Sequence, residues 1–213
     1  MKTLIAILSC HSLRSNEQSV RETWIKDIPQ GVDYKFFLGN PDIPVLDDEV
    51  VLNVEDSIEY LSLKVREACR WALSYDYDFL FKCDLDTLVR PVLLMQSGFE
   101  KHDYSGGHYV SREFASGGSG YWLSKKSMGI VVDEVKEEEP WEDVYVARAL
   151  LRHGIEVHDN PQHKFMPGAM LDERTIAIHL SSVKGWGEKA TPEDMYRVYN
   201  EKPRAKALRR PPR

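Results

Sequence analysis

The run Phe79-Leu80-Phe81-Lys82-Cys83-Asp84-Leu85-Asp86 constrains the fold more than any other part of the chain. Its apolar half reads as a buried strand, and it ends on Asp-x-Asp. In an open α/β sheet, ligands bind beyond the carboxyl ends of the strands. Two carboxylates delivered there offer hard oxygen ligands to a divalent cation, Mn²⁺ or Mg²⁺, of the kind that shares its shell with substrate phosphates. Taken alone, the pair fits a solvated turn equally well.

Strand and helix signals alternate around this run, which predicts an α/β fold with one mixed central sheet flanked by helices. Leu4–Leu8 reads as the first strand and Tyr34–Leu38 as the second, stopped by Gly39-Asn40-Pro41. Val50–Leu52 is a short third strand. Ser15–Lys26 reads as a helix with Gln18 placed for a capping box. Asp56 is placed to cap a long helix whose apolar face is Ile58, Leu61, Val65, Ala68, Cys69 and Ala72. Tyr121–Leu123 and Ile176–Ile178 read as further strands. Glu142–His153 reads as a helix ended by Gly154, and Thr191-Pro192 opens a last one.

Composition narrows the function. A chain of 213 residues with 42 % hydrophobic content can bury a core, so residues 1–200 are predicted to form one domain. The net charge of −6 argues against nucleic acid as a partner. Three widely spaced cysteines form neither a zinc pattern nor a disulfide framework, which points to a reducing compartment. Thr3–Leu8 is too short to cross a membrane and lacks a signal-peptide cleavage region, so the expectation is a soluble cytoplasmic protein without a transmembrane segment. The basic stretch within 201–213 reads as a disordered end or a linker to a further domain. It could also serve as a membrane-surface patch.

Other segments carry candidate chemistry. His179 stands at a predicted strand end, where imidazole could complete a Mn²⁺ shell begun by Asp84 and Asp86. Lys184 follows in a loop with Gly185 and Trp186, suited to a diphosphate. Glu142 and Asp143 open a helix, where the dipole alone favours carboxylates. The functional alternative is a general base, and Asp143 is the choice. Ser116-Gly117-Gly118 allows close backbone approach to a ligand, or is a plain flexible turn.

Together these segments resemble the β-1,3-glycosyltransferases that include the β-1,3-galactosyltransferases, N-acetylglucosaminyltransferases and Fringe. Arg21-Glu22-Thr23-Trp24 is similar to that family's Ile-Arg-x-Thr-Trp, and Phe37-Leu38-Gly39 to its Phe-Leu-Gly. Asp56-Ser57 through Leu63-Lys64 resembles Asp-Ser-Tyr-x-Asn-Leu-Thr-Leu-Lys. Lys82-Cys83-Asp84-Leu85-Asp86 stands where the family has Lys-x-Asp-Asp-Asp. Ser116-Gly117-Gly118 through Tyr121 matches Ser-Gly-Gly-Gly-Tyr, and Glu142–Val146 matches Glu-Asp-Val-Tyr-Val. The His179…Lys184-Gly185-Trp186 spacing is also similar to the His…Lys-Pro-Trp loop of glycogenin-like transferases.

The resemblance implies a GT-A fold, a UDP-sugar donor, a glycan or glycoprotein acceptor, Mn²⁺ (or Mg²⁺) and an inverting mechanism. It implies metal ligation by Asp84, Asp86 and His179. It places Ser9, His11 and Arg14 at the uridine, with Arg21 and Lys64 either in a cationic lining or in structural ion pairs. Asp84, Lys184, Gly185 and Trp186 would face the donor. Ser116, Gly117, Gly118 and Glu142 would face the donor sugar or acceptor, with Asp143 as base. The expectation of no membrane anchor departs from the family's Golgi anchor, and Leu85 stands at the family's middle Asp. It looks more like a viral (large algal virus) or bacterial relative. The His-Lys-Trp loop is shared with retaining enzymes, which leaves a retaining transferase open. A haloacid-dehalogenase-type phosphatase also uses Asp-x-Asp, but Leu88 replaces its Thr. A non-catalytic sugar-binding module is the remaining alternative.

Overall fold

The computed structural model describes residues 1–39, 45–107, 113–136, 138, 141–185 and 187–201. Trp186 and the basic tail from residue 202 lie outside the described residues.

In chain order the elements are β1 (Thr3–Leu8), α1 (Glu17–Glu22), β2 (Val32–Leu38), β3 (Glu49–Val51), α2 (Leu61–Ser74), β4 (Phe79–Asp84) and β5 (Thr87–Val89). Then come α3 (Pro91–Met95), β6 (Tyr104–Gly106), β7 (Tyr121–Ser124), α4 (Lys125–Glu134), α5 (Glu142–Arg152) and β8 (His158–Asp159). The chain continues through β9 (His163–Lys164), β10 (Ala177–His179), α6 (Leu180–Lys184) and α7 (Pro192–Asn200).

Among the described residues the central sheet has seven strands in the order β3-β2-β1-β4-β7-β6-β8. The β3, β2, β1 and β4 strands run parallel, while β7 runs antiparallel to both β4 and β6, so the sheet is mixed. Alternate residues of β1 and β4 feed different cores, as the two-residue period requires. Leu4, Ala6, Leu8 and Leu80 pack with Val65, Ala68 and Cys69 of α2, Met128 of α4 and Val146 and Leu150 of α5. Ile5, Ile7, Phe81 and Cys83 pack with Val20, Trp24, Leu94 and Met195. Both faces are covered, which explains why these strands read as near-continuous apolar runs.

A three-stranded sheet, β5-β10-β9, adds to this frame. No local pattern along the chain signals that Ala177–His179 leaves the central sheet. Three local expectations also change. The stretch read as one helix over 15–26 is three pieces, because Thr23 departs from helical dihedrals and its hydroxyl donates to the Ser19 carbonyl at 2.6 Å. Gln18 bonds Glu22 at 2.6 Å and makes no cap. Asp56 does not cap α2 either, since its carboxylate is used across the fold, as described below. At α7 the expected start holds: Thr191 and Asp194 form a capping box around Pro192. No described helix is long and apolar enough to cross a membrane.

Candidate functional site

Asp84 is the last residue of β4, level with Leu8 at the carboxyl edge of the sheet. The chain turns through Leu85 and Asp86 into β5, which pairs antiparallel with β10 in a register that sets Thr87 opposite His179. The Leu180 N–H donates to the Asp86 carbonyl at 3.0 Å and closes this corner. Residues distant in sequence thereby converge: Asp84, Asp86 and His179 each offer a ligand atom, all within 4.8 Å of one another.

His179 Nε2 lies 3.0 Å from Asp86 Oδ1, and its Nδ1 lies 2.6 Å from the Ser182 hydroxyl. Ser181 donates its hydroxyl to Asp86 Oδ2. Burial works against charge on Asp86, but His179 and Ser181 hold its carboxyl below the usual range. Burial likewise works against the imidazolium, and the Asp86 charge outweighs it, so His179 is raised. The donor set suits a divalent cation. It combines two carboxylates with an imidazole whose other nitrogen is fixed by a hydroxyl, the usual support of a metal-bound histidine.

A buried ammonium links this cluster to α5. Lys82 is 1 % exposed in the middle of β4. Its Nζ donates to Asp84 Oδ1 at 2.7 Å, to the Gly117 carbonyl at 3.1 Å and to Glu142 Oε1. Glu142 Oε2 accepts the Tyr121 hydroxyl at 3.0 Å. Burial pushes Glu142 up to about 7 despite the Lys82 charge. The Lys82 ammonium itself is held above its ordinary value; burial opposes the charge, but Asp84 and Glu142 prevail. Glu142, expected to face donor sugar or acceptor, is instead 3 % exposed and turned inward. The sequence signal for this hub was a lone Lys inside an apolar run, since a buried charge must be paired.

Asp143 stands beside it, half-buried at the start of α5. Its Oδ2 accepts the Gly117 N–H at 3.1 Å and its Oδ1 the Val144 N–H at 2.9 Å. Burial raises its carboxyl above the usual range, against the pull of those two N–H groups.

The glycines of Ser116-Gly117-Gly118 have a packing reason. A methyl group on Gly117 would overlap Glu142 Oε1, and one on Gly118 would overlap His179 Nδ1. Backbone without side chains lets both groups reach the site. Gly118→Ala should therefore displace the His179 ring and weaken Mn²⁺ binding by about 10–100-fold. Manganese titration followed by electron paramagnetic resonance reads this directly; unchanged affinity would show that His179 is not a ligand.

The cations assigned to a donor lining are engaged elsewhere. Arg14 makes two bonds to Glu49, at 2.7 and 2.6 Å. Arg21 makes two to Asp48, at 2.7 and 2.9 Å, and one to Glu17 at 2.8 Å. Lys64 donates to Asp56 and to the Ser9 carbonyl at 2.8 Å. Asp56 also accepts the N–H groups of His11 at 2.6 Å and Gly39 at 2.9 Å. It ties together the loops after β1 and β2, which is why it is not a helix cap. Ser9 is buried and bonds Glu17. Lys184 donates to Asp194 Oδ2 at 2.8 Å and to the Lys189 carbonyl at 3.1 Å. Gly185 is the C-cap of α6, and Trp186 lies outside the described residues.

No protein-family model matches the sequence. No curated protein matches it either. Solved structures do. The apo form of the glycosyltransferase GlyE of Streptococcus pneumoniae TIGR4 superposes with a TM-score of 0.55 at 14 % identity, over 95 % of this chain and 61 % of GlyE. This chain thus spans less than two thirds of that relative. The galactosyltransferase LgtC, in complex with donor and acceptor sugar analogues, superposes with a TM-score of 0.53 at 13 % identity, over 92 % of this chain and 95 % of LgtC. At these identities the likeness speaks for architecture: the chain has the GT-A glycosyltransferase fold, with an Asp-x-Asp pair, Asp84 and Asp86, at the carboxyl edge of its central sheet.

Proposed function

We propose that this protein is a metal-dependent glycosyltransferase that moves a sugar from a UDP-linked donor to a hydroxyl of a glycan or glycoprotein acceptor. The observation that carries the reading is the convergence of Asp84, Asp86 and His179 within 4.8 Å at the carboxyl edge of a GT-A sheet, with Asp143 on the adjoining helix. The sequence resemblance to the β-1,3-glycosyltransferases supports the donor class and the inverting course.

Asp84, Asp86 and His179 would hold Mn²⁺ or Mg²⁺, which when bound neutralises charge on a departing diphosphate. Lys82 holds Asp84 aimed, through a 2.7 Å hydrogen bond from a buried position. Ser9, His11, Arg14, Arg21 and Lys64 are assigned to the nucleoside end through the loops they brace. Lys184 and Gly185 are assigned to the diphosphate, for which Lys184 must exchange its Asp194 partner. Asp143 takes the proton of the acceptor hydroxyl, and its two N–H partners keep the carboxylate aimed. His179 favours a second reading, because a His in this loop is shared with retaining glycogenin-like transferases. The anomeric configuration of the product, read by NMR, separates the two courses.

Calorimetric titration of UDP with Mn²⁺ and then with EDTA tests the donor site. Binding that requires the metal is the expected result; no binding in either condition removes the UDP assignment. The pH dependence tests the base. Asp143 acts only when deprotonated, and burial raises its pKa. The rate should rise with pH through that raised value, so the acid limb of kcat/KM lies above the ordinary carboxylate range. An acid limb at or below that range would speak against Asp143.

A further inference from the structure

Two chain segments meet where the Gly117 N–H bonds Asp143 Oδ2 at 3.1 Å, and the same two segments flank an open cavity of about 360 Å³. One wall is Glu113 and Phe114, which lead into Ser116-Gly117. The other is α5, through Val144, Ala147, Arg148 and Leu151. Ala147 lies one helical turn beyond Asp143, on the same side of the helix. The cavity is therefore continuous with the walls that hold the assigned base, and none of its lining residues belongs to the metal cluster or to the buried Lys82–Glu142 hub.

We infer that this cavity binds a neutral sugar ring and forms the acceptor subsite, an inference that rests on the reading of Asp143 as base. The lining explains the choice of ligand. Val144 and Leu151 present an apolar surface over the buried Phe114 and Ala147, and Glu113 and Arg148 are exposed beside it with opposite charges. A sugar ring has one C–H face for such a surface and a rim of hydroxyls that both donate and accept. The Glu113 carboxylate accepts from hydroxyls, and the Arg148 guanidinium donates to them. A purely apolar ligand would strip water from two charges without replacing the lost hydrogen bonds. A charged ligand would be drawn by one of these two groups and repelled by the other, so the pair gives a net charge of either sign no preference. At the N-cap of the same helix, Trp141 is 69 % exposed, an open aromatic face close in sequence to Asp143.

The probes are the methyl glycosides of glucose, galactose, N-acetylglucosamine and rhamnose, offered to the full chain without donor. Binding is followed by saturation-transfer NMR in the millimolar range expected of a single ring. At least one glycoside should bind. Arg148→Ala and Glu113→Ala should each weaken it by about tenfold, and metal-dependent UDP binding should stay unchanged. Both positions are exposed, so folding should survive, and circular dichroism checks it. If no glycoside binds, or if both variants bind as the parent does, the subsite is not here. Because the titration uses no UDP, its failure is distinct from failure of the donor assignment: loss of UDP binding with retained, Arg148-dependent glycoside binding would leave the cavity standing.

Discussion

Asp86→Ala should abolish metal-dependent UDP binding while leaving the fold intact. Asp86 supplies one oxygen to the candidate cluster and also holds its neighbours, through His179 Nε2 at 3.0 Å and the Ser181 hydroxyl. Truncation removes a ligand and frees the imidazole that should complete the set. Loss of an outer-shell partner alone costs about 10–100-fold in metal affinity, and a direct ligand should cost more. The backbone corner does not depend on this side chain, because the Leu180 N–H bonds the Asp86 carbonyl. The variant should therefore keep the circular-dichroism spectrum of the parent, while its UDP titration with Mn²⁺ becomes flat. Retained Mn²⁺-dependent UDP binding would sink the cluster as a metal site.

Asp143→Asn should lower transfer by about 10²–10⁴-fold, the range typical of a lost general base. The amide cannot take a proton from the acceptor hydroxyl, but its oxygen can still accept from Gly117 or Val144. Exchanging one accepted N–H bond for a mismatched amide should cost about 0.5–1.5 kcal/mol in stability, small beside the catalytic effect. Asp143 is not in the metal cluster, so UDP affinity should match the parent. Single-turnover transfer together with calorimetry separates these outcomes. Normal transfer would remove Asp143 as base; equal loss of donor binding would make it a donor-site residue instead.

Much of the frame was legible along the chain, because it follows from local patterns. The apolar run into Asp84 and Asp86 folds as β4, and its end falls at the sheet edge because both faces of the strand are buried. Helix α5 ends before Gly154, which takes φ +71°, a value glycine adopts without strain. Thr191-Pro192 starts α7, because a hydroxyl cap and a fixed φ suit a first turn. His179 was also found, since it stands where a short apolar strand stops.

The partners of the charged groups were not legible. The resemblance put Arg14 at the uridine and Lys184 at the donor, and left Arg21 and Lys64 between a cationic lining and structural ion pairs. In the fold each meets a carboxylate. Arg14 and Glu49 are 35 residues apart, Lys82 and Glu142 are 60, and Asp86 and His179 are 93. No periodicity or capping rule reaches across such separations. Asp56 shows the same limit: its position before a helix predicts a cap, yet the N–H groups of His11 and Gly39 from two other loops, and the Lys64 ammonium within that helix, claim it.

The sequence by itself determined β1, β2, β3, β4, β7 and β10, the helices α2, α5 and α7, and the presence of Asp-x-Asp at a strand end, since each depends on neighbours within a few residues. Only the tertiary structure decided which charges are neutralised inside, that β10 joins a second sheet and brings His179 to Asp86, and that Gly117 and Gly118 make room for Glu142 and His179. Those outcomes depend on burial, which raises the cost of an unpaired charge until a partner from elsewhere in the chain is found.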